Sequence, residues 1–207
     1  GGFLLSLIDA PIDEAEAGDI VAVSAGTYVE DLDIHQPLTG LELVGAGSGT
    51  ITIKGVANVW WADWPLAVPN IEILADDVLL HGFTLQGPDP ATGFYSSGVV
   101  VGGAGVEIYD NAFQTPNSGN TDEISQAIQT YLNGEVDGLN IHDNTFTDFG
   151  AGTFGFEGIY INPDVGDPAP GGAVTIANNS FSGDVARAIS AARSNVSITG
   201  NTINSAM

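Results

Sequence analysis

Three side chains have types that could act together on an anionic substrate: Glu157, Tyr160 and Arg187. Glu157 and Tyr160 lie in the segment Glu-Gly-Ile-Tyr-Ile, and Arg187 begins the similar segment Arg-Ala-Ile-Ser-Ala further along the chain. An arginine beside a tyrosine and a glutamate can neutralise a substrate carboxylate while another group removes a proton. We favour the simpler interpretation, an exposed ion pair between neighbouring strands that contributes less than about 1 kcal/mol.

A repeated motif indicates how such segments become neighbours. The pattern of apolar, any, apolar, any, any, Asn, any, apolar occurs at 106–113, 139–146, 174–181 and 196–203, and a copy without the Asn occurs at 78–85. Apolar residues that alternate before a turn predict strands. A fixed motif at variable spacing predicts stacked coils with loops inserted at particular corners.

The asparagines of this motif are expected to have a structural role; they are Asn111, Asn144, Asn179 and Asn201. Asparagine tolerates left-handed backbone angles better than other residues except glycine, so we expect it at the bend between two strands. Stacked coils would place these amides about 4.8 Å apart, where they can form a hydrogen-bonded ladder. The Phe and Ile residues that end each copy are expected to stack inside.

A further strand precedes each copy of the motif. Equivalent segments occur at 97–101, 126–130, 157–161 and 187–191, with outward positions at Val100, Gln129, Tyr160 and Ser190. The segment DEISQAIQTYL (122–132) also fits a short helix capped at Asn120 or Thr121. We prefer a strand there because the register of the repeats requires one.

Other side chains are candidates for contacts with sugars, partners or metals. Trp60, Trp61 and Trp64 fall in one insertion, where they would either contact a glycan or partner together with Gln129 or fold over the flank of the coils. His35, His81 and His142 are isolated in sequence and lack the close spacing of a zinc site, so we expect them to line turns. Corner residues Asp110, Asp143 and Asn178 carry oxygen atoms that suit Ca²⁺.

The composition excludes several classes of function. The 207 residues include 26 acidic and 3 basic side chains, for a net charge of −23, which argues against a nucleic-acid partner. The same charge disfavours polyanionic sugars unless a divalent cation bridges them, and it predicts stabilisation by salt or Ca²⁺. There is no cysteine, and no apolar run is long enough to span a membrane. Because the chain begins Gly1-Gly2, we expect a processed form or an excised segment.

Residues 17–55 resemble the first coils of right-handed parallel β-helix proteins of the pectate-lyase-like superfamily. The resemblance rests on Gly18-Asp19 and Gly26-Thr27-Tyr28, with residues 8–17 in the place of the capping helix. Residues 73–87 and the Asn motifs resemble the periplasmic copper-protein-like and the carbohydrate-binding and hydrolase repeats of the same superfamily. The resemblance implies an extracellular location and a substrate face on the outside of the strand at 97–101 and its equivalents. It does not imply one activity, because this fold carries lyases, hydrolases, epimerases and adhesins.

The catalytic motifs of these families are mostly missing. Calcium-dependent pectate lyases pair an Asp cluster with a basic residue, and the related alginate enzymes use Lys and Arg, but Lys54 is expected to lie far along the axis from Arg187 and Arg193. Polygalacturonases carry Asn-Thr-Asp, Asp-Asp and Gly-His-Gly in that order. Here Asn120-Thr121-Asp122 follows Asp76-Asp77, and the His motif is absent.

We therefore predict an all-β, single-domain, right-handed parallel β-helix of seven or eight coils over residues 1–207. Residues 1–17 form the N-terminal cap, and insertions fall near 56–70, 88–96, 114–125, 148–156 and 162–172. The predicted function is a non-catalytic extracellular module for surface attachment, adhesion or assembly that contacts glycans. The alternative is a polysaccharide lyase, hydrolase or epimerase that uses Glu157, Arg187 and Tyr160. Without a visible C-terminal cap, the last coil is expected to favour homo-oligomers or coil-on-coil stacking, for which bound Ca²⁺ is a candidate cofactor.

Overall fold

The computed structural model describes residues 7–55, 68–87, 96–114, 124–131, 136–149, 157–163 and 172–205. These residues form one short helix, α1 (Asp9–Asp13), and twenty strands. In chain order the strands are β1 (Ile20–Val23), β2 (Gly26–Val29), β3 (Leu32–Ile34), β4 (Glu42–Gly45), β5 (Ile51–Lys54), β6 (Val68–Ile73), β7 (Leu79–His81), β8 (Thr84–Gln86), β9 (Ser96–Val101), β10 (Glu107–Tyr109), β11 (Ala112–Gln114), β12 (Ile124–Thr130), β13 (Asn140–His142), β14 (Thr145–Thr147), β15 (Glu157–Ile161), β16 (Val174–Ala177), β17 (Ser180–Gly183), β18 (Arg187–Ala191), β19 (Val196–Thr199) and β20 (Thr202–Ser205).

Each strand pairs with the strand three places later in the chain, and this pairing builds three parallel sheets. Sheet 1 has the order β1-β4-β7-β10-β13-β16-β19, sheet 2 the order β2-β5-β8-β11-β14-β17-β20, and sheet 3 the order β3-β6-β9-β12-β15-β18. Each coil contributes one strand to each sheet, which gives six complete coils and two strands of a seventh among the described residues. The predicted parallel β-helix is confirmed. No helix in the described part of the chain is long and apolar enough to cross a membrane.

Apolar side chains stack in rows inside the coils. Phe146 lies between Phe113 and Phe181, with ring centroids 4.9 and 4.6 Å away, and all three rings are fully buried. Ile108, Ile141 and Ile176 are aligned in the same way in sheet 1. The repeated motif therefore produces rows of identical residues, because each copy contributes one rung to the same row.

The predicted ladder of asparagines is present between sheets 1 and 2. Asn111 donates from its side-chain amide to Oδ1 of Asn144, Asn144 donates to Asn179, and Asn179 donates to Asn201, at 3.0–3.2 Å. Each Oδ1 also accepts the backbone N–H of the preceding ladder residue, as Asn144 does for Asn111 at 3.0 Å.

The conformational explanation given for these asparagines was wrong. The left-handed residue is the one before each ladder position: Gly82, Asp110, Asp143, Asn178 and Gly200 have φ between 53° and 84°. This preceding residue makes the bend. The ladder asparagine instead contributes its inward side-chain amide to the hydrogen-bonded ladder.

The predicted N-terminal capping helix and the strand predicted at residues 126–130 are both present. Helix α1 lies within the predicted cap, and residues 124–130 form strand β12, which removes the helical alternative. Most of the predicted insertions lie outside the described residues. Strands β6 and β12 begin at residues 68 and 124, so the insertions predicted to reach residues 70 and 125 end earlier.

Candidate functional site

The outer face of sheet 3 carries a row of side chains in register across six strands. Buried residues such as Ile34, Ile73 and Ile159 point inward, so their strand neighbours point outward. Backbone pairing aligns these outward residues as Asp33, Glu72, Val100, Gln129, Tyr160 and Ser190. Successive members are about 4.8 Å apart along the axis.

Near the C-terminal end of this row, Glu157 lies opposite Arg187 in register. Arg187 donates from Nη1 to Oε1 of Glu157 at 2.9 Å, and the side chains are 64% and 5% exposed, respectively. The carboxylate is thus buried beneath the guanidinium that neutralises it, whereas the guanidinium faces solvent. This pair binds adjacent coils together and leaves Arg187 accessible to an anionic or polar ligand.

The middle of the row is covered. Val100 and Gln129 are 3% and 6% exposed, so Gln129 offers little surface to a glycan in this conformation. Trp60, Trp61 and Trp64, the other residues predicted to contact glycans, lie outside the described residues.

At the N-terminal end, Asp33, His35 and Glu72 converge; we name them the Asp–His–Glu cluster. One potential ligand atom from each residue lies within 4.8 Å of the others. His35 Nε2 is 2.6 Å from Oε2 of Glu72. His35 is isolated in sequence, as noted above, and strand pairing brings it to a carboxylate 37 positions away.

Tyr131 connects this cluster to the middle of the face. Its hydroxyl donates to Oε1 of Glu72 from a position two strands away in sheet 3. The ring passes over Gly102, where a Cβ atom would lie 3.1 Å from Cδ2 of Tyr131. Burial and the hydrogen bond to Glu72 raise the pKa of Tyr131 well above its usual range. The phenol therefore stays protonated and serves as a donor.

The other two histidines lie on sheet 1, at the ends of strands. His81, Tyr109 and His142 occupy one row in register, and His81 Nε2 lies 2.9 Å from Glu42 Oε1. His142 contacts Glu107 through Nε2 and Asp143 through Nδ1, both at 2.7 Å. Burial alone would lower the pKa of His142, but the hydrogen bonds and charges of Asp143 and Glu107 outweigh it and raise the pKa.

The Asp–His–Glu cluster was missed, although its signal is present in the sequence. Both Leu-Asp-Ile-His (32–35) and Ile-Glu-Ile (71–73) alternate apolar and polar residues, as the later sheet 3 strands do. The sequence prediction began that strand series at residue 97. Extending it to the first two coils would have placed Asp33 beside Glu72.

The three parallel sheets, with one strand of each sheet in every coil, define a right-handed parallel β-helix protein. A solved structure of a pectin methylesterase mutant in complex with a hexasaccharide is similar, with a TM-score of 0.54 and 18% sequence identity. The match covers 87% of this chain and 62% of that one, so this chain spans less than two thirds of its length. Comparisons with protein-family models and with curated proteins give no match.

Proposed function

We propose that this protein is an extracellular β-helix module that binds a polysaccharide along the outer face of sheet 3 without cleaving it. The observation that carries this proposal is the in-register row from Asp33 to Ser190 on a rigid sheet, in which Asp33, Glu72, Tyr160 and Ser190 are at least partly exposed while Val100 and Gln129 between them are buried. A sugar chain is a repetitive, extended ligand, and polar groups at both ends of a straight row, with the Tyr160 ring at one of them, can contact it at separate points. The similar fold of a pectin methylesterase solved with a hexasaccharide supports the ligand class and the location.

The non-catalytic role is supported by the contacts of the charged groups. Arg187 neutralises the buried Glu157, and Tyr131 is held as a donor to Glu72. A general base must reach the substrate, and the Glu157 side chain is 5% exposed and paired with Arg187. The net charge of −23 further favours neutral or esterified polysaccharides over polyuronates.

Affinity electrophoresis in gels that contain pectin, polygalacturonate or neutral galactan tests the binding face. We expect Tyr160→Ala to abolish the retardation seen for the unmodified protein. Tyr109→Ala is the matched control because Tyr109 lies on the outer face of sheet 1. Equal loss in both variants, or no retardation in any gel, would contradict the proposal.

A second candidate is a polysaccharide hydrolase, lyase or epimerase on the same face. It is favoured by the carboxylates of Asp33 and Glu72, which approach within 4.8 Å. Pairs of carboxyl groups about 5–5.5 Å apart act together in retaining glycosidases. Release of reducing ends, unsaturated uronates or methanol from the same polysaccharides would favour this candidate, provided that Glu72→Gln or Arg187→Ala abolishes the release.

We also propose that the last described coil supports self-association. Ile198 and Ile203 align with the fully buried Ile176 and Phe181, yet they are 49% and 56% exposed. Apolar side chains at core positions gain free energy when another molecule covers them. Sedimentation velocity should show oligomers that Ile198→Asp and Ile203→Asp dissociate. A monomer at all protein and Ca²⁺ concentrations would contradict this.

A further inference from the structure

We propose that the Asp–His–Glu cluster binds one divalent transition-metal ion, for which Zn²⁺ is the probe. The proposed site consists of a carboxylate oxygen of Asp33, an imidazole nitrogen of His35 and a carboxylate oxygen of Glu72. It goes beyond glycan binding and does not depend on it, because its test uses no sugar.

The strands that carry these ligands fix their directions. Ile34 is fully buried between Asp33 and His35, so both neighbours project from the same outer face. Ile71 and Ile73 hold Glu72 outward in the same way on the adjacent strand. Asp33 and Glu72 thus lie on two hydrogen-bonded strands, and His35 directly follows the first of them, so the core brings the three donors together before an ion binds.

Charge supplies a second, independent reason to place a cation here. Asp33 and Glu72 occupy directly paired positions, where like charges destabilise a sheet. The sequence has only three Lys and Arg residues. Arg187 contacts Glu157, Arg193 contacts Asp137, and Lys54 belongs to sheet 2. None of these three therefore offsets the paired carboxylates, whereas a bound divalent ion would do so.

Tyr131 orients one ligand from outside the cluster. It donates to Oε1 of Glu72, which leaves Oε2 directed toward His35. Hydrogen bonds of this kind to ligating carboxylates hold them in position, and their loss typically weakens metal binding about 10–100-fold.

The set of donors selects the class of metal. One imidazole nitrogen with two carboxylate oxygens suits Zn²⁺ and its neighbours better than Ca²⁺, which prefers six to eight oxygen ligands. His142 illustrates the contrast: its carboxylate partners, Glu107 and Asp143, lie on opposite ring nitrogens and do not converge. Among the described residues, three ligating side chains of the His, Asp or Glu type converge only in this cluster.

Isothermal titration of the full chain with Zn²⁺, repeated with Co²⁺ and followed by its visible absorption bands, tests the proposal. We expect one ion per chain, binding at least tenfold weaker in Asp33→Asn, His35→Ala and Glu72→Gln, and binding about tenfold weaker in Tyr131→Phe. His81→Ala is the matched control, since His81 also contacts a glutamate across strands, and it should bind as the unmodified protein does.

Proton NMR of the three imidazoles provides a measurement that does not depend on a folded His35 variant. His81→Gln and His142→Gln assign two of the resonances, and the remaining one belongs to His35. Stoichiometric Zn²⁺ should shift the His35 signal and leave the other two unchanged. The proposal is overturned if no stoichiometric binding occurs, if binding survives His35→Ala, if equimolar Ca²⁺ displaces Zn²⁺, or if Zn²⁺ shifts all three signals alike.

Discussion

The imidazole ring of His142 lies parallel to the phenol ring of Tyr109, with centroids 5.2 Å apart and 1° between the planes. Tyr109 stacks in turn on His81 at 4.5 Å, so three rings cover three consecutive strands of sheet 1. Carboxylates flank the stack at Glu42, Glu107 and Asp143. In a chain with so few basic side chains, a protonated His142 is a local source of positive charge, and its pKa is raised by the hydrogen bonds and charges of Asp143 and Glu107.

Substitution of His142 should make stability depend less on pH. The folded-state pKa of His142 is raised above its ordinary value of 6.5. The stabilisation from its ion pairs is therefore fully present below that value and is lost as pH rises through the folded-state pKa. Thermal unfolding of His142→Gln should show a larger deficit at pH 5.5 than at pH 9, with less than about 1 kcal/mol expected from each pair. A deficit of equal size at both pH values, or the same profile in the control Thr175→Ala, would argue against this assignment.

Removing one rung of the asparagine ladder should destabilise the protein strongly. Asn144 is buried, accepts the backbone N–H of Asn111 and donates to Ile108 O and Asn179 Oδ1. Asn144→Ala leaves several of these buried groups without partners, at about 1–3 kcal/mol for each group. Urea denaturation should show the loss. Asn140→Ala on the same coil is the control, because Asn140 points outward, and its effect should stay below about 1 kcal/mol.

The coil architecture was predictable because one motif recurs along the sequence and each copy corresponds to one coil. Ile108, Ile141 and Ile176 recur at the same motif position, and each copy reinforces the alignment of the others. The predicted register of Glu157 with Arg187 followed from the same repetition, and strand pairing confirms it.

The sequence prediction failed where a site depends on the first coils or on long side chains. Asp33 and Glu72 belong to strands that alternate like the later strands of sheet 3, but the predicted series began at residue 97 and was not extended to the first two coils. The contact between Tyr131 and Glu72 skips a strand and brings the Tyr131 ring close to Gly102, and no periodicity encodes this contact. Gln129 is buried although it occupies an outward position, and strand alternation alone does not predict that.

Loss of the Glu30 carboxylate should loosen the N-terminal helix. Glu30 is buried and accepts the backbone N–H groups of Ile8 and Asp9 at 2.9–3.1 Å. The first N–H groups of a helix lack partners within it, and Ile8 has no capping side chain of its own. Glu30→Ala should therefore cost about 1–2 kcal/mol. Amide hydrogen exchange at residues 8 and 9 should accelerate, whereas Glu14→Ala, at an exposed position beside the same helix, should leave it unchanged.

Tyr131→Phe should remove one phenol with a raised pKa and weaken the attachment between coils of sheet 3. The pKa of Tyr131 is raised by burial and by Glu72, so its phenol should ionise only at a pH well above that of an ordinary tyrosine. Spectrophotometric titration at alkaline pH should show that the variant lacks the phenol that ionises well above the usual tyrosine range. Removing the donor also leaves Oε1 of Glu72 without this partner, which should lower the free energy of unfolding by about 1–2 kcal/mol.

Tyr160→Phe is the matched control, because its hydroxyl makes no hydrogen bond to any described residue and its loss should change stability by less than about 0.5 kcal/mol. If both variants lose equal stability, or if the late-ionising phenol persists in Tyr131→Phe, the contact with Glu72 does not hold these coils together.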